Sequence, residues 1–123
     1  GSIHGVGAGD INGDGKLDII VPHGWYEQPA GGATVVPWKF HPAAFGRNGN
    51  AGGEIEVYDV NGDGAYEVLY ADETDMRIYD GATGKVLYDN TSHDSGTVWE
   101  YPVTADVDKD GSAEIVVADN GGT

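Results

Sequence analysis

DINGDGKLD from Asp10 to Asp18, DVNGDGAYE from Asp59 to Glu67 and DVDKDGSAE from Asp106 to Glu114 are one nine-residue acidic pattern written three times in 123 residues. Each copy sets an oxygen-bearing side chain at positions one, three, five and nine and a Gly at position six. That spacing suits a hard cation, which takes six to eight oxygens at about 2.3–2.6 Å in a flexible geometry. Residues two apart turn the same way as the chain curls around a centre, and the Gly allows the sharp bend that returns position nine to the ion. Loop one therefore offers Asp10, Asn12, Asp14 and Asp18 as side-chain ligands, with the Lys16 carbonyl at the backbone position. Loop two offers Asp59, Asn61, Asp63, the Ala65 carbonyl and Glu67, and loop three Asp106, Asp108, Asp110, the Ser112 carbonyl and Glu114.

Asp, Asn and Gly also dominate ordinary solvated turns. Three copies in register, each followed by a β-branched run, point instead to metal, and up to three Ca²⁺ ions are expected. Magnesium is disfavoured because it demands tighter octahedral geometry and keeps several waters. Zinc and copper are disfavoured because the chain has no Cys and its four His show no paired spacing.

The charge balance agrees with that reading. Six Lys and Arg against 21 Asp and Glu give a net charge of −15, which argues against nucleic acid and anionic membrane surfaces as partners. Ten of the 21 carboxylates lie in the three loops, so three calcium ions would bring the net charge to −9. Loops of this kind fill reliably near millimolar calcium, so a secreted or cell-surface protein is expected. No stretch approaches the length of a membrane-spanning helix, and no membrane insertion is expected.

The loops begin 49 and then 47 residues apart, in the range of propeller blades and similar arrays. The runs that leave them, Leu17 to Val21, Tyr66 to Ala71 and Ala113 to Ala118, are short and β-rich without helical periodicity. That excludes EF-hands and dockerin modules, whose loops lead into helices. Around loop two the sequence predicts a four-stranded meander of Glu54 to Val60, Tyr66 to Ala71, Met76 to Tyr79 and Lys85 to Tyr88. Around loop one it predicts His4 to Gly9, Leu17 to Val21, Trp25 to Glu27 and Trp38 to His41. Around loop three only two strands are expected, Glu100 to Ala105 and Ala113 to Ala118. The expected fold class is all-β: a β-propeller-like repeat of four-stranded antiparallel blades with Asp-rich calcium loops, about two and a half blades in number. It forms one repeat domain over 1–123, with repeat 1 at about 3–45, repeat 2 at about 54–92 and a partial repeat 3 at about 98–123. The Gly- and Pro-rich segments from Gln28 to Pro37 and from Phe45 to Gly53 read as loop insertions.

The stretches GVGAGDINGDGKLDIIVPHGW, VYDVNGDGAYEVLYAD and VTADVDKDGSAEIVVADN resemble the FG-GAP and VCBS repeat family, related to the integrin-type calcium-binding β-propeller. The resemblance implies propeller blades with calcium in their loops. It says less about activity, since such repeats occur in adhesion proteins, in lectin-like modules and in polysaccharide-active enzymes. Propellers of the family close with more blades than three, so the resemblance implies that open strand edges are covered by a second copy or by further blades of a longer chain.

Candidates for catalysis are weak. Ser2, Ser92, Ser95 and Ser112 sit in no nucleophile-elbow context. Asp72, Glu73 and Asp75 read as a solvated turn rather than a glycosidase pair, which needs opposed carboxylates about 5–10 Å apart. Trp25, Tyr26, Trp38, Phe40, Trp99 and Tyr101 are expected mainly in packing between sheets, with Trp25-Tyr26 the pair expected at a surface. His4, His23, His41 and His93 are expected as structural residues. The sequence thus predicts a non-enzymatic, extracellular calcium-binding module for binding, adhesion or self-assembly. Calcium is expected to be structural, and the ligand to be a carbohydrate, a protein or a second copy meeting the terminal strands. The alternative is a carbohydrate-active enzyme or its polysaccharide-binding accessory part.

Overall fold

A computed structural model describes residues 5–46, 53–72, 75–92 and 102–117. Expectations about His4, Glu73, His93, Trp99, Glu100, Tyr101 and Ala118 lie outside the described residues. The first antiparallel sheet runs β1 (Gly7–Gly9), β2 (Asp18–Val21), β3 (Gly24–Glu27) and β4 (Lys39–Pro42), in that spatial order. The second runs β5 (Glu54–Tyr58), β6 (Glu67–Ala71), β7 (Met76–Asp80) and β8 (Val86–Asn90), again in chain order. A two-stranded sheet pairs β9 (Val103–Ala105) with β10 (Glu114–Val116). Among the described residues, no helix is long and apolar enough to cross a membrane.

Every observed strand overlaps one of the expected runs. Strand β1 begins at Gly7, with Gly5 and Val6 outside it, and β5 stops at Tyr58 instead of continuing through Val60. Val60 has left the ladder because its polar groups are used elsewhere: its N–H donates to Glu67 Oε2 at 3.0 Å and its carbonyl accepts from Ala113 N–H at 2.8 Å. Pro42 ends β4, the outer strand of its sheet, where the missing donor costs the ladder nothing.

Sheets one and two pack face to face. Ile11, Ile20, Trp25 and Phe45 meet Ile55, Val68, Tyr70 and Tyr79 in one buried cluster. Strand β1 lies against β5 and can approach it only because Gly7 and Gly9 have no side chains. A Cβ on Gly9 would stand 2.4 Å from Val57 Cγ1, and one on Gly7 2.8 Å from Val57 Cγ2.

Two expectations are corrected here. Trp25 is not a surface residue: it is 3% exposed and stacks on His41, with ring centroids 4.0 Å apart and planes 6° from parallel. Its alternation partner Tyr26 faces outward, as period-two geometry requires. Phe45 belongs to the core rather than to an insertion. It is fully buried, meets Tyr79 edge to face with centroids 5.6 Å apart, and the neighbouring Gly46 N–H donates to the Tyr79 hydroxyl at 2.9 Å.

Candidate metal centres

Each acidic loop is the turn of one hairpin, joining β1 to β2, β5 to β6 and β9 to β10. One hydrogen-bond scheme holds all three. The position-one Asp takes the N–H groups of positions five and six: Asp10 from Asp14 (2.9 Å) and Gly15 (2.7 Å), Asp59 from Asp63 (3.1 Å) and Gly64 (2.9 Å), and Asp106 from Asp110 (3.2 Å) and Gly111 (3.1 Å). The position-three oxygen takes the position-five N–H at 3.1 Å for Asn12, 2.9 Å for Asn61 and 3.1 Å for Asp108. The position-five carboxylate takes the position-seven N–H of Lys16, Ala65 and Ser112 at 3.0, 2.8 and 2.8 Å. Finally, the position-nine carboxylate reaches back to the position-two N–H: Asp18 to Ile11 at 3.2 Å, Glu67 to Val60 at 3.0 Å and Glu114 to Val107 at 2.9 Å.

These are Asx-type bonds, in which a short polar side chain caps backbone donors a few residues on. They fix where each ligand sits without exhausting it, since a carboxylate offers about four lone-pair sites. They also hold the N–H groups of Lys16, Ala65 and Ser112, the residues whose carbonyls are the expected backbone ligands. The scheme requires a left-handed residue at position six, met by Gly15 (φ 83°), Gly64 (φ 89°) and Gly111 (φ 96°). Position four is left-handed as well, at Gly13 (φ 72°), Gly62 (φ 74°) and Lys109 (φ 65°).

The donor set fits a hard cation. It is made of oxygen alone, and in loop three one oxygen from each of Asp106, Asp108 and Glu114 lies within 4.8 Å of the others. Loops one and two carry an uncharged Asn where loop three has Asp108, so their positions one, five and nine supply all the charge. Asp18 is fully buried and Glu67 is 5% exposed. Burial pushes both carboxyls above the usual carboxylate range, against the pull of the Ile11, Gln28 and Val60 amides. Desolvated carboxylates of this kind call for a countercharge. In loop one, Lys16 supplies part of it by pairing with Asp14, and this bond holds Asp14 below the usual range.

Two of the other candidates have structural partners. Asp72 accepts from the Tyr70 hydroxyl and from the Asp75 N–H at 2.7 Å, while its own N–H donates to the Asp75 carbonyl at 2.9 Å. It closes the turn between β6 and β7. His41 contacts Glu27 at 2.7 Å across β3 and β4, a pairing that no sequence spacing announced because it depends on the Trp25↔His41 register.

An FG-GAP repeat model matches residues 4–36 and an FG-GAP-like repeat model matches residues 59–117. No curated protein and no solved structure matches the chain. The first match spans loop one with its flanking strands, and the second runs from the start of loop two through β10. With turns of one design in both matched segments, one in the first and two in the second, the chain belongs to the FG-GAP repeat family.

Proposed function

We propose that the chain is an extracellular calcium-binding β-repeat module for binding or adhesion, in which the ions are structural. FG-GAP repeats are typical of extracellular and surface proteins and form modules of the binding or adhesion type, and the oxygen-only donor sets favour calcium over softer metals. The observation that carries the reading is the identity of the three loops: one amide scheme presents the same four side-chain positions each time. Clustered carboxylates repel one another without an ion, so calcium supplies part of the folding free energy. We assign the chain no catalytic step. Dialysis against calcium plus magnesium, followed by metal analysis, should return three calcium ions per chain and no magnesium. Fewer than one calcium per chain sinks the reading.

A polysaccharide-binding accessory role is the second reading. Tyr26 and Phe40 favour it: they are 36% and 38% exposed, with ring centroids 4.9 Å apart, and present two aromatic faces of the kind that stack on sugars. Retention on an acidic polysaccharide in calcium, lost with Tyr26→Ala, would support it.

A further inference from the structure

Loops two and three touch in a way that loops one and two do not. The Val60 backbone lies between two position-nine ligands: its N–H holds Glu67 Oε2 at 3.0 Å, and its carbonyl receives the N–H of Ala113 at 2.8 Å, directly before Glu114. A second link joins the position-one ligands. Gly62 N–H donates to Asp59 Oδ1 at 2.8 Å, Gly111 N–H donates to Asp106 Oδ2 at 3.1 Å, and these two glycines abut so closely that a Cβ on Gly62 would stand 2.1 Å from the Gly111 carbonyl oxygen. Asp59 and Asp106 also line a common cleft of about 260 Å³. Between loops one and two the equivalent contact is loose. A Cβ on Gly13 would meet the Gly64 carbonyl at 3.5 Å, ordinary van der Waals distance, and no backbone hydrogen bond joins those loops among the described residues.

We infer that loops two and three form a coupled pair of cation sites, in which filling either raises the affinity of the other, while loop one fills independently. The inference rests on the calcium reading above. An ion in loop two fixes Asp59 and Glu67, and with them Gly62 and Val60, the groups against which Gly111 and Ala113 of loop three are held. The entropy of ordering those shared peptides is lost once for two ions rather than once for each, and coupling through ordering is reciprocal.

Lys109 provides the means of testing this. It occupies position four of loop three with φ 65°, so a side chain is compatible with that conformation, and Asn adopts it more readily than most residues. Gly13→Asn and Gly62→Asn are therefore matched in backbone cost and differ in what the new Cβ meets. The assay is a CaCl₂ titration of the full chain followed by NMR, with the amides of Gly15, Gly64 and Gly111 as reporters, since each donates to the position-one Asp of its own loop.

In the unaltered protein Gly64 and Gly111 should move together along one sigmoidal curve and Gly15 along a separate hyperbolic one. Gly13→Asn should keep Gly64 and Gly111 together. Gly62→Asn should split them and weaken both responses by at least about fivefold, the lower end of ordinary coupling. If Gly62→Asn fails to fold, Asp63→Asn serves instead: it should weaken the Gly111 response and leave Gly15 unmoved. Independent curves for Gly64 and Gly111, equal effects of the two glycine variants, or a Gly111 response indifferent to Asp63→Asn would overturn the coupling while leaving calcium binding intact. If no glycine shifts at millimolar calcium, the calcium reading fails and the coupling with it.

Discussion

Replacing Gly9 by Ala adds one methyl group at the tightest point between the first two sheets. The new Cβ would stand 2.4 Å from Val57 Cγ1, 2.9 Å from Val57 Cβ and 3.0 Å from Tyr66 Cδ2, all inside normal contact. Turning Val57 does not relieve this, because its own Cβ is among the atoms met. Strand β1 must therefore move away from β5, and overpacking of this kind costs about 1–3 kcal/mol. For a chain of this size each kcal/mol corresponds to roughly 4 °C in Tm, so the midpoint should fall by roughly 4–12 °C. Gly9 directly precedes Asp10, so the same movement should also weaken calcium binding in loop one. The control is Ala8→Val on the same strand. Ala8 points to solvent, and an exposed substitution should stay within about 0.5 kcal/mol. Thermal melts by circular dichroism in excess calcium compare the two. Equal midpoints for Gly9→Ala and Ala8→Val would refute the close packing of β1 on β5.

Three further outcomes are expected. Asp108→Asn converts the side-chain donor set of loop three to that of loop two; a divalent ion about 4 Å from the lost charge forfeits about 2 kcal/mol even at the dielectric of water, so calorimetry should show the tightest step weakened roughly 30-fold, and an unchanged first step would show that charge does not rank the sites. Phe45→Ala leaves a cavity beside Tyr79 and should cost about 3–5 kcal/mol in urea denaturation; a cost under about 1 kcal/mol would remove Phe45 from the core. Val116, 66% exposed on β10, lies in a two-stranded sheet, and Ile115-Val116 carries no charge to blunt edge pairing; association through β9 and β10 should appear in sedimentation with calcium and be released by Val116→Lys, and a monomer at high concentration, indifferent to that substitution, would refute it.

The strands and loops were legible because their signals are local. Short β-rich runs without helical periodicity mark β6 and β7, and the D-x-N/D-x-D-G spacing marks a turn by its own hydrogen bonds, all of which close within eight positions. What escaped the sequence depends on residues far along the chain. Gly7 and Gly9 read only as part of the entering strand His4 to Gly9, and only Val57, some fifty residues on, shows why no side chain fits there. Phe45 looked like part of an insertion because its partner Tyr79 belongs to the next repeat. Trp25 was expected at a surface beside a Pro-Gly segment, yet its alternation with Tyr26 already placed one of the two inside. The position-four glycines had no assigned role, and Gly62 acquires one only through its contact with Gly111. The turn at Asp72 and Asp75 was expected to be solvated, yet Asp75 is 1% exposed, and the hydroxyl that Asp72 accepts from Tyr70, two residues back, ties the turn to the end of β6.

The central claim is that these hairpin turns are built around calcium, and a thermal scan in calcium, magnesium or chelator addresses it most directly. A ligand bound only by the native state stabilises it by RT ln(1 + [L]/Kd), about 2.7 kcal/mol per site at a hundredfold excess over Kd. Calcium should raise the midpoint well above that in chelator, and magnesium at the same concentration should fall far short of it. A midpoint that chelator leaves unchanged would contradict the account.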